Sequence, residues 1–149
     1  MSGAHIVDVG AKPAVRREAE ARGVLALSPG TVRALRDGKT PKGDPLPVAQ
    51  AAGLLAVKRT PDLLPLCHPI PLTGAEVHLQ VRDEGVEARC IARATHTTGV
   101  EMDALTGCAV ALLTVWDMVK ALEKDAAGQY PHTALRELRV VRKEKEAAP

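Results

Sequence analysis

The chain has 149 residues, of which 46% are hydrophobic and 26% charged, with a formal net charge of +2; these values suit one aliphatic-cored domain. So small a charge, with Trp116 and Tyr130 as the sole large aromatics, excludes both bulk electrostatic binding and base stacking on nucleic acid. Three scattered cysteines, apolar runs short of the ~20 residues a membrane span needs and no basic-then-apolar leader predict a cytoplasmic protein without a membrane or disulfide framework.

In chain order, a polar arm through about Lys12 is followed by an extended stretch and then a helix, capped by Ser28 with Pro29 at its first position and closed by Asp37-Gly38. A second helix begins at Pro45 with Asp44 as its N-cap and runs through the apolar stretch Val48 to Val57. Ala49, Ala51, Ala52 and Ala56 predict a close helix approach or a subunit contact. Lys42 falls just before this helix N-terminus, where free N–H groups and the positive dipole end favour an anion such as phosphate. A lysine held beside other cations or partly desolvated has a lowered pKa and can transfer protons near neutrality; the plainer alternative is a loop lysine in a Pro-rich turn. Between Asp62 and Leu72 three prolines predict an extended, non-helical path around Cys67 and His68. By local pattern a histidine so placed is more often a hydrogen-bonded structural residue than a functional one. No metal site is expected, because Cys67, Cys90 and Cys108 are widely spaced and no histidine pair has i, i+4 spacing.

Ala75, Val77, Leu79 and Val81 alternate with polar residues, and after Asp83-Glu-Gly85 the alternation resumes at Val86, Ala88, Cys90, Ala92 and Ala94. This is a hairpin with one buried face and His78 on the solvated one. A long helix from about Val100 to Lys124 follows. Leu105, Ala109, Leu112, Val115, Trp116, Val119 and Leu122 cover its broad apolar side, while Asp103, Thr106, Thr114, Asp117, Lys120 and Lys124 fall near one narrower stripe. Asp117 and Lys120, at i and i+3, can touch. The stripe reads either as an ion-pair network or pocket wall in a buried helix, or as the solvated face of an amphipathic one. Leu135 to Arg142 returns as a last strand, and residues 143–149 read as a flexible tail. The whole predicts a single α+β domain over 1–149, with an antiparallel sheet and helices packed on one face.

Four separated motifs then carry a collinear resemblance from Ile6-Val-Asp-Val9 to about Asp125: Lys42-Gly43-Asp44; Lys58-Arg59-Thr60 with Leu66-Cys67-His68-Pro69; Thr98-Gly-Val-Glu-Met-Asp-Ala-Leu-Thr106; and Asp117-Met118-Val119-Lys120. Together they resemble the cyclic pyranopterin monophosphate synthases, the molybdenum cofactor biosynthesis protein C family. The resemblance implies a ferredoxin-like subunit of a hexamer, a trimer of dimers with sites at dimer interfaces. It implies a reaction in which a cyclic dihydro-GTP becomes cyclic pyranopterin monophosphate with loss of pyrophosphate. Residue by residue it makes Lys42 and Lys120 the essential lysines and Asp117 the catalytic acid or base. Leu66, Cys67, His68, Met102 and Asp103 become substrate-binding residues, and Glu101, Arg17, Asp8 and Arg93 align with polar family positions. No resident cofactor is implied, with magnesium left open as a companion of the triphosphate.

Three departures stand against the pattern. Asp103 replaces a glutamate, and Thr95-His-Thr-Thr-Gly99 lacks the glycine and lysine of the family's Thr-Gly-Lys-Thr-Gly. The family's C-terminal Gly-rich loop is missing, which leaves Lys143 as the phosphate ligand there, and Ala126 to Leu135 reads as an insertion. Two other functions therefore stay open: a catalytically impaired nucleotide-binding homologue, and a structural oligomerisation module whose Asp117, Lys120 and Lys42 are interface ion pairs.

Overall fold

Alternation decides the first strand: Ala19, Ala21 and Leu25 are fully enclosed, while Arg16, Glu18, Glu20 and Arg22 point to the opposite side. In a computed structural model describing residues 3–147, this strand, β1 (Val15–Ala26), is followed by helices α1 (Pro29–Arg36), α2 (Pro45–Lys58) and α3 (Thr60–Leu63). Strands β2 (Leu72–Arg82) and β3 (Gly85–His96), helix α4 (Glu101–Glu123) and strand β4 (Ala134–Ala147) complete the chain. The sheet order is β2-β3-β1-β4 with every neighbouring pair antiparallel. Helices between β1 and β2 and between β3 and β4 make this the split β-α-β-β-α-β, ferredoxin-like arrangement, an α+β fold as expected.

Local chemistry sets the boundaries. Asp44 accepts a hydrogen bond from the Leu46 N–H at 3.1 Å, with Pro45 opening α2. The β2–β3 connection is tight because Gly85, at φ 150°, leaves room for the Leu25 carbonyl; a Cβ there would lie 1.8 Å from that oxygen. Helices α2 and α4 run antiparallel over one face of the sheet and touch at Gly53 and Gly107. A Cβ on Gly107 would come within 2.4 Å of Val57 and 2.7 Å of the Cys90 sulfur. The expected close approach therefore rests on this glycine pair, with Ala49 and Ala56 buried beside it and Ala51 outside. Although α4 is long and apolar enough to cross a membrane, Leu112, Val115 and Val119 on its apolar side are fully enclosed in the core.

The structure corrects several expectations. The tail does not begin at 143: β4 pairs with β1 as far as Val15 opposite Ala147. The alternating charges that suggest a solvated tail instead make cross-strand pairs, Arg142 with Glu18 and Arg16 with Glu146. Positions 148–149 lie outside the described residues. Asp62 and Leu63 belong to the one-turn helix α3, and a turn closed by Cys67 N–H to the Leu64 carbonyl, 3.0 Å, precedes the extended part of the proline segment. Leu122, assigned to the apolar side of α4, is 40% exposed at its end. Residues 124–133 form an ordered loop: Asp125 accepts from the Ala127 and Gln129 N–H groups, and Tyr130 packs edge-on to Trp116 with ring centroids 5.3 Å apart.

Candidate active site

Two groups of side chains gather at different places along α4. The first lies in its C-terminal half. The loop before α2 places Lys42 Nζ 3.4 Å from Asp117 Oδ2, and Lys120, one turn on, places its Nζ 2.9 Å from Asp117 Oδ1. One carboxylate thus holds two ammonium groups, and these hydrogen bonds, that from Lys120 first, keep the Asp117 carboxyl below its usual range. The same hydrogen bond raises Lys120 above the ordinary lysine value. For Lys120 the hydrogen bond from its ammonium to Asp117 outweighs the lowering effect of burial; within one chain all three side chains are about half exposed. The polar stripe is an ion-pair network at this end only. Thr106 and Thr114 in its middle donate to their own helix, at the carbonyls of Met102 and Val110.

The second group surrounds the N-terminus of α4, at the end of the sheet where β1 begins and β3 ends. Leu66, Cys67, His68, Thr98, Gly99, Glu101 and Met102 line a largely apolar groove of about 530 Å³. His68 Nε2 lies 2.6 Å from the carbonyl oxygen of Val7, so the N-terminal arm reaches this rim. Beside the groove, Arg17 donates to the carbonyls of His96 and Thr97 at 3.0 and 3.3 Å, which pins the strand-to-helix turn. Lys143 reaches Glu101 Oε1 at 3.4 Å, and with Arg17 it lines an adjoining cleft of about 200 Å³.

Asp103 does not line the groove. It is 1% exposed, on the core side of the helix, and its Oδ2 has no partner among the described residues. Burial pushes its pKa up to about 6, with the nearby Glu101 charge adding to the effect. Glu101 likewise has one enclosed oxygen, Oε2, without a partner. Cys67 is held in the thiol form by burial and then by the Asp103 and Glu101 charges, which argues against a nucleophilic thiolate. Asp8 accepts from the Gly10 N–H within the arm. Arg93 pairs with Glu18 at 2.6 Å and Glu76 at 2.9 Å, and with Arg17 and Glu18 it lines a further cavity of about 290 Å³.

Between Asp103 and Asp117 the helix rises about 21 Å. No single reacting atom can therefore lie within the ~3 Å hydrogen-bond reach of both groups of one chain. The sequence missed Leu64, Pro65 and Ile70, which also line the groove, and the Val7 carbonyl; apolar lining and a backbone acceptor carry no residue-type signal.

Comparison with known proteins shows the family. The MoaC family profile matches residues 6–146. A Thermococcus kodakarensis protein named probable cyclic pyranopterin monophosphate synthase is 54% identical over 143 residues, covering 96% of this chain and 92% of the relative. An Aeropyrum pernix protein of the same name is 54% identical over 145 residues, covering 97% and 99%. A Methanothermobacter thermautotrophicus protein, named probable cyclic pyranopterin monophosphate synthase accessory protein, is 52% identical over 143 residues, covering 96% and 90%. With a family match over nearly its whole length and relatives above half identity, the chain belongs to the MoaC family.

Proposed function

We propose that the protein converts (8S)-3′,8-cyclo-7,8-dihydroguanosine 5′-triphosphate to cyclic pyranopterin monophosphate with release of pyrophosphate, a lyase step in molybdenum cofactor biosynthesis. The observation that carries this reading is the Lys42–Asp117–Lys120 cluster, with separations of 3.4 and 2.9 Å, in a chain 54% identical to proteins named as that synthase. The reaction opens one ring, closes another and forms a cyclic phosphate, so it needs proton transfers and cations close to a polyphosphate. Asp117, kept ionised by its two lysines, serves as a proton acceptor. The ammonium groups of Lys42 and Lys120 donate protons and offset charge that develops on the phosphate. The apolar groove at Leu66, Cys67, His68 and Met102 takes the fused base, with Glu101, Arg17 and Lys143 at its polar edge and Asp103 behind it. These steps are redox-neutral and call for no resident cofactor.

The separation of the two groups along α4 favours a site completed between protomers: the lysine–aspartate cluster of one faces the groove of another. A cytoplasmic homo-oligomer, a hexamer built as a trimer of dimers, meets that requirement.

The test is to incubate the purified protein with the cyclic triphosphate while following pyrophosphate release and, by mass, the pterin product. Both are expected, and both should vanish in Lys42→Ala and Lys120→Ala variants that keep the wild-type melting temperature and oligomeric size. Tight binding without turnover would instead establish the impaired homologue, the reading that the missing Gly-rich loop favours. Loss of assembly in Lys42→Ala would favour the oligomerisation module.

A further inference from the structure

The contact between His68 and the arm is unusual in what it offers. A backbone carbonyl only accepts, so the 2.6 Å approach of Val7 O to His68 Nε2 requires a proton on that nitrogen. In the neutral imidazole this leaves Nδ1 as the one acceptor. Side-chain burial does little to hold the arm in place, since Ile6 and Val7 are 52% and 61% exposed. Its own shape is local: Asp8 caps the Gly10 N–H at 2.8 Å, and Lys12 N–H reaches the Val9 carbonyl at 3.1 Å. The contact of the arm with the groove rim is made by backbone, the Val7 carbonyl on His68. The MoaC match starts at residue 6, so this segment falls inside the family's pattern.

We propose that the N-terminal arm is a positioning element of the groove: the Val7 carbonyl fixes the His68 ring and its Nε2–H tautomer, so that Nδ1 is the atom available to accept a hydrogen bond or a proton from the bound substrate. The inference rests on the groove being the base-binding part of the proposed site. Val7 acts through His68 and touches no reacting atom.

Two measurements test it. In the full-length protein labelled with 15N-histidine, long-range proton–nitrogen spectra should show the neutral His68 ring protonated at Nε2 and bare at Nδ1, with the Nε2–H protected from solvent exchange. A ring protonated at Nδ1 would overturn the proposal, and this readout holds even if the protein shows no turnover. The second is a cycle between deletion of residues 1–10 and His68→Ala, each variant checked by thermal melt. Deletion should lower kcat/KM roughly 5- to 10-fold, the scale of one hydrogen bond, and should cost nothing further in the His68→Ala background. Ile6→Ser, which keeps the arm backbone, should match wild type. Equal losses from deletion with and without His68, or no loss at all, would show that the arm does not act through the ring. If the deletion variant fails to fold, the tautomer measurement on the intact chain decides alone.

Discussion

Two aspartates on one helix stand in opposite electrostatic conditions. Asp117 is exposed and held ionised by hydrogen bonds from Lys120 and Lys42, whereas Asp103 is enclosed and pushed up to about 6. Asp117→Asn keeps the shape but removes the ionisable group, so substrate affinity should persist while kcat falls by roughly 10²- to 10⁴-fold in single-turnover measurements. Asp103→Asn should act on stability. Because the folded-state pKa of Asp103 is raised, its contribution falls as pH climbs from 3.8 through about 6. The amide variant should therefore be more stable at pH 7, on the order of 1–3 kcal/mol, and lose that advantage near pH 4, as urea melts at the two pH values would read. The cluster around Asp117 was legible because an i, i+3 acid–base pair in an apolar helix is conspicuous. The burial of Asp103 was not, because residues 40° apart around a helix look like one stripe until the neighbouring strand shows which of them it covers.

The junction of α1, α4 and β4 depends on Glu123, whose carboxylate accepts from the Ser28 N–H and hydroxyl and from the hydroxyls of Thr31 and Thr133. Burial pushes its pKa up, but these donors outweigh burial and leave it lowered. Its stabilisation is therefore present above the ordinary value of 4.5 and is lost as pH falls below that through the folded-state value. Glu123→Gln should cost about 1–3 kcal/mol at pH 7 and flatten the acid limb of a stability–pH curve. At the α2–α4 crossing, Gly107→Ala should destabilise by about 1–3 kcal/mol despite alanine's better helix propensity, since its methyl meets Val57 and Cys90. A thermal melt would show a drop of several degrees. Element types and order were readable from periodicity and capping, down to Asp44 and Pro45. The end of β4 was not: Lys143 to Glu146 alternate like a solvated tail, and only the pairing with β1, where Glu146 meets Arg16, shows them to be strand.

At the level of the whole molecule, the ferredoxin-like order follows from one early strand, a hairpin and a helix that must return the chain to the sheet, all visible as patterns. That the candidate site residues divide between the two ends of α4 was not visible, since motif order along a chain says nothing of which motifs meet. The division also governs what happens when defective copies share a cell. In the proposed shared site a protein lacking Lys42 is inactive and one lacking His68 is impaired, yet in randomly mixed oligomers about one site in four receives a sound half from each parent. Co-expression of Lys42→Ala with His68→Ala should accordingly raise turnover to roughly a quarter of wild type, whereas a site contained within one chain would give only the mean of the two variants measured alone. Two alleles that each grow poorly or not at all alone would then grow better together, and a null allele would complement neither.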